Sequence, residues 1–175
     1  MKYLNTFKIS SLIFTLMLFP ALANAQMDMD MKMDMSKGMQ HGHTPVSLPK
    51  DSLTPKLTIS ISPDSMSGYN LHLEIAQFQL ESPLNMGNTP KNTVEGHAHL
   101  YINGEKIQRV YGNDVHIPGK YFKEGMNQIN VTLNNHDHKA WQKDGKEIIS
   151  SVFINTQKDT LVSYEFSSFP VLVKN

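Results

Sequence analysis

The sequence predicts an all-β domain, an antiparallel β-sandwich, behind a disordered methionine-rich tail. Three observations carry this. From Lys56 onward apolar residues recur at period two. Turn signals built on Gly, Pro and Asn interrupt the pattern every eight to twelve residues. No segment holds a helical period, and no internal repeat is present. Seven or more short alternating strands with such spacing are the signature of a sandwich.

Taken in order, residues 1–25 read as an export signal. Lys2 and Lys8 form a basic start, Ser10 to Leu22 an apolar stretch, and Ala23-Asn24-Ala25 a small-x-small cleavage site. The apolar stretch is too short for a membrane anchor, so the expected product is periplasmic or secreted and begins at Gln26. Residues 26–55 form the tail, rich in Met, Asp, Lys, Ser, Gly and His and ending with Pro45, Pro49 and Pro55. Such a segment buries too little apolar surface to offset its ordering entropy. The sandwich is expected over 56–175. Leu57, Ile59 and Ile61 alternate up to Pro63, and Leu71, Leu73 and Ile75 begin a second strand expected to run to about Leu80. Residues 84–94 are a loop. His97 to Ile102, Asn103-Gly104 and Lys106 to Tyr111 form a hairpin, because Asn-Gly between alternating runs favours a two-residue turn. Val115 to Ile117, Asn127 to Leu133, Ile148 to Ile154 and Leu161 to Phe169 complete the strands, and Asp144-Gly145 marks another turn. About twenty branched or aromatic residues point inward, enough for a core that folds without a metal.

Composition narrows the function. The chain has no cysteine, which excludes disulfides, thiolate metal sites, cysteine nucleophiles and a lipidated cysteine behind the signal. It also excludes a blue-copper centre, which needs a thiolate. Without Lys2 and Lys8 the formal charge goes from zero to minus two. The remaining basic residues are scattered, so no nucleic-acid surface is expected. Catalytic signatures such as Gly-x-Ser-x-Gly, His-Glu-x-x-His or a phosphate-binding glycine loop are missing, and the chain is not expected to be an enzyme.

Two constellations carry chemistry. Six of the eleven methionines, Met27, Met29, Met31, Met33, Met35 and Met39, lie in the tail among small, mostly acidic residues, with His41 and His43 behind them. Methionine ordinarily fills core gaps, but a segment charged at every second residue has no apolar face to receive it. A displayed thioether is a soft ligand suited to Cu(I), and imidazoles suit Cu(II). The bland alternative is an oxidisable tether. The second constellation is His97-x-His99. If Ala98, Leu100 and Ile102 face the core, then His97, His99 and Tyr101 face outward, with successive side chains roughly 6–7 Å apart, close enough to chelate one ion. His136-Asp137-His138 follows the strand ending at Leu133 and could add ligands, with Asp137 either a ligand or a group that orients a histidine. The same segment also reads as a plain turn. His116 is a further candidate, and His72 reads as surface.

The residues Gly96-His97-Ala98-His99-Leu100-Tyr101-Ile102-Asn103-Gly104, with Tyr111-Gly112, His116-Ile117-Pro118, Leu133-Asn134-x-x-Asp137-His138 and Tyr69-Asn70-Leu71-His72, resemble a family of small exported bacterial domains over residues 56–155. That resemblance implies an immunoglobulin- or cupredoxin-like sandwich, a periplasmic copper association, and His97, His99, His116 and His138 as the matching histidines. The position of His136 is usually another polar residue in that family. The tail separately resembles, in composition, the methionine-rich segments of periplasmic copper-resistance proteins. Together these give the expected function: copper storage, delivery or tolerance, with the tail capturing Cu(I) and surface histidines of the sandwich holding copper. Zinc would suit the histidines but leaves the clustered methionines without a reason. The expected partners are the metal ion and another periplasmic copper protein. The competing expectation is a sandwich that docks a protein or cell-surface partner along an edge such as Leu161–Phe169, with the tail as spacer.

Overall fold

A computed structural model of the chain describes residues 44–87, 89–158 and 163–172. The expected export signal and the candidate ligands Met27, Met29, Met31, Met33, Met35, Met39, His41 and His43 lie outside the described residues.

Twelve strands are described: β1 (Val46–Ser47), β2 (Lys56–Pro63), β3 (Tyr69–Ala76), β4 (Phe78–Leu80), β5 (Val94–Ile102), β6 (Glu105–Val110), β7 (Asp114–Ile117), β8 (Met126–Asn134), β9 (Trp141–Lys143), β10 (Lys146–Glu147), β11 (Ile149–Asn155) and β12 (Ser163–Ser167). The fold is all-β. One sheet runs β2-β3-β7, and a larger one runs β12-β11-β8-β5, with β4 along Val94–Gly96 and β6 along Ala98–Ile102 of β5. Period-two alternation sends Leu57, Ile59, Ile61, Leu71 and Leu73 of the first sheet into one core. Ala98, Leu100, Ile102, Ile129, Val131, Leu133, Val152 and Ile154 of the second meet them there. Burying such side chains contributes roughly 1.5–3 kcal/mol each. A hydrogen bond from the Ile59 amide to Ser150 Oγ at 3.2 Å ties the two sheets across the core.

Two expectations are corrected. Folded structure starts before Lys56: β1 pairs in parallel with β9, the Leu53 amide donates to the Asn92 carbonyl, and Leu48 packs on the core. The strand expected from Leu71 to about Leu80 is two strands. Gln77, at φ 61, turns the chain so that β3 stays in the small sheet and β4 joins the large one. The antiparallel sandwich matches expectation, with β4–β5 and β1–β9 as two short parallel pairings within it. The Asn103-Gly104 turn matches expectation, with both residues at positive φ (52 and 86) as a type I′ turn requires. No helix among the described residues is long and apolar enough to cross a membrane.

Candidate metal centre

The site lies on the face of the β5–β8 pair that points away from the core. That face was expected to be solvated, and it is not. His97 and His99 are 0% and 2% exposed, and β8 places Asn134, Thr132 and Asn130 opposite His97, His99 and Tyr101. Part of this buried polar layer is internally bonded, while His97 Nδ1 and Asn130 Oδ1 have no hydrogen-bond partner among the described residues. Thr132 Oγ1 donates to Asn134 Oδ1 at 2.7 Å, and Asn134 Nδ2 donates to the His138 carbonyl at 3.2 Å.

The turn after β8 covers the layer and brings in His138. The Asn135 amide donates to the Lys139 carbonyl and the His138 amide to the Asn135 carbonyl, while Asn135 Oδ1 accepts from the Lys139 amide. His138 itself has φ 65, a left-handed conformation that costs a side-chain-bearing residue about 1–2 kcal/mol. Its imidazole is thereby aimed at the two buried rings. Gly96 makes the approach possible: its φ is 154, and a Cβ there would lie 1.9 Å from the Asn134 carbonyl oxygen.

Three nitrogens converge. His97 Nε2 is 2.9 Å from His99 Nε2 and 3.1 Å from His138 Nδ1, and the last pair is 3.4 Å apart. Three imidazole nitrogens on one ion, with bonds of about 2.0–2.1 Å, sit roughly 3.3–3.5 Å apart, so the triangle need open by only a few tenths of an ångström. Hydrogen bonding cannot join all three edges of the triangle at once. Each neutral nitrogen is either an N–H donor or a lone-pair acceptor, and three mutually adjacent atoms of two kinds always leave one like pair. A cation accepting all three lone pairs removes that conflict. Burial holds His97 at about 4 and His99 at about 3, reinforced for His97 first by His138 and for His99 first by Lys106. Both are therefore neutral and ligand-competent at pH 7. Behind the ligand nitrogens, His99 Nδ1 lies 3.3 Å from Tyr101 Oη, which suits the N–H that a metal-bound ring keeps on its other nitrogen.

The remaining candidates divide. His116, matched by the family resemblance, lies on β7 in the other sheet, where Nδ1 faces Asn70 Oδ1 at 3.4 Å; it does not join the triangle. His72 is surface as expected and pairs with Asp114 at 2.7 Å. Asp137 is exposed and outside the cluster. His136 packs its ring 6.2 Å from that of His97, with Nε2 3.8 Å from Glu95, and so lies beside the triangle.

Two cations were not anticipated by the sequence reading. Lys106 Nζ sits 3.1 Å from His99 Nε2, and Arg109 lies opposite His99 on β6. Lys106 was findable, since a two-residue turn that pairs Ile102 with Glu105 also pairs Tyr101 with Lys106. Arg109 was not, because a bulge between Leu100 and Tyr101 skips Ile107. That extra residue lets both Ile107 and Val110 turn to the core and shifts Arg109 onto the histidine face. No family model, curated protein or solved structure matches the chain, so the family expectation rests on its motif alone.

Proposed function

We propose that this is an exported copper-binding protein in which His97, His99 and His138 hold one ion on the sandwich. The observation that carries this reading is the triangle of nitrogens 2.9–3.4 Å apart, with His97 and His99 buried and neutral at pH 7 and His138 half-buried beside them. Imidazole donors suit copper and zinc alike. The methionine-rich tail favours copper, because thioethers at Met27 to Met39 have no use in handling zinc. In this reading the tail collects Cu(I) and the sandwich stores it or passes it on. The copper sits behind a buried layer rather than on surface histidines.

The test is a Cu(II) titration of the protein and of His138→Gly against a competing chelator. Glycine is at ease at the φ of position 138, so the variant removes a ligand without straining the turn. The expected result is tight one-to-one binding that weakens at least about a hundred-fold in the variant, with an unchanged thermal midpoint or a rise of a few degrees. Equal affinity in both proteins would sink the assignment. A second reading is favoured by one observation. Tyr164 and Phe166 on the edge strand β12 are 59% and 62% exposed, and an edge bearing aromatic side chains can pair with another chain. Absence of copper binding, together with a partner cross-linked at β12, would favour it.

A further inference from the structure

We propose that the copper ion takes a small exogenous anion as its fourth ligand, held in place by Lys106 with Arg109 behind it. This rests on the three-histidine reading above. Three imidazoles leave one tetrahedral position open. Among the described residues no carboxylate joins the nitrogen cluster. Glu95 is occupied at the side by Thr89 Oγ1 and the Gly87 amide, so the described residues supply no anion to the cluster.

The charges on this face then require one. Lys106 Nζ donates to the lone pair of His99 Nε2 at 3.1 Å. A metal ion takes that lone pair, and the ammonium loses its acceptor while lying half-buried next to a new positive charge. Arg109, on the same face through the bulge, adds to the excess. Neutral imidazoles cancel none of it. An anion on the open coordination position accepts from Lys106 and neutralises the ion in a single arrangement. Such a charge-assisted bond is stronger than one between neutral groups. Access fits a small ligand, because His97 and His99 are buried and the groups around them are the half-buried His138 and Lys106 and the exposed Tyr111, whose ring lies tilted at 5.4 Å from that of His97. The class is therefore a monovalent anion of a few atoms, such as a halide, azide or formate.

The experiment loads the protein with one equivalent of Cu(II) and titrates azide, reading the azide-to-copper charge-transfer band. The same titration is run on Lys106→Met, Lys106→Arg and His138→Gly. Wild type is expected to saturate, Lys106→Met to bind azide at least about ten-fold more weakly, Lys106→Arg to stay near wild type, and His138→Gly to show no such band. Equal azide affinity in Lys106→Met, or a copper-loaded protein with no band, overturns the anion site and leaves the metal site standing. Failure to load copper at all overturns the three-histidine reading itself.

Discussion

His97 and His99 dominate the chemistry of the fold at the level of single residues, because their burial keeps them neutral. Their folded pKa values of about 4 and 3 lie below the 6.5 of an exposed histidine, so the unfolded chain takes up protons that the native state refuses. Stability therefore rises with pH across this window. The penalty is absent above about pH 6.5, grows as pH falls, and levels off only below about pH 3. Each group contributes at most about 1.4 kcal/mol per pH unit. The metal-free protein is thus expected to lose about 2–4 kcal/mol between pH 7 and pH 5, read from urea midpoints at fixed ionic strength. A His97→Gln/His99→Gln variant should lose much less over the same range. A profile that is flat for the wild type would show that the two rings are not held neutral by burial. Bound copper should keep that slope or steepen it, since a ligated nitrogen has no lone pair for a proton while the unfolded chain still takes one up.

Among the elements, β5 and the end of β8 form the unit that makes the site, and Gly96 is the contact that lets them meet. A methyl group at 96 would overlap the Asn134 carbonyl oxygen at 1.9 Å, and that residue's side chain holds the His138 carbonyl. Gly96→Ala is expected to cost about 2–4 kcal/mol and to lower copper affinity with it, because the turn carrying His138 must shift. Gly112→Ala is the matched control, with nothing within 4 Å of its Cβ position; it should leave both quantities within error. Equal thermal midpoints for Gly96→Ala and wild type would mean that the β5–β8 approach is looser than this. Much of this unit was legible in the sequence. Alternation separated Ala98, Leu100 and Ile102 from the histidines correctly, and Asn103-Gly104 fixed the hairpin. What alternation cannot tell is whether the second face is wet. Covering it depends on a turn forty residues away, whose His138 adopts a backbone conformation that sequence patterns do not favour. The bulge at Ile107 and the sheet switch at Gln77 were illegible for a related reason: each is one residue out of phase in an otherwise regular pattern.

For the whole molecule, two donor sets with different preferences in one chain favour copper. Three imidazoles favour neither oxidation state strongly, whereas thioethers bind Cu(I) and hold Cu(II) poorly. Separate variants should therefore dissect the two. Leucine at Met27, Met29, Met31, Met33, Met35 and Met39 keeps side-chain size and apolarity while removing every sulfur of the tail. These positions precede the described fold, whose first strand is β1 and whose first core-packed side chain is Leu48, so the variant should unfold at the wild-type urea midpoint. It is expected to lose most of its Cu(I) capacity and to bind Cu(II) as before. His138→Gly should do the reverse, keeping multiple Cu(I) equivalents in the tail and losing the Cu(II) site. The measurement is paired: Cu(I) against a chromogenic chelator under anaerobic conditions, and Cu(II) by competition in air. Crossed losses would make tail and sandwich independent sites of one copper-handling protein. Unchanged Cu(I) binding in the leucine variant would take the methionines out of the mechanism and leave the histidine triangle as a metal site for which zinc competes on equal terms.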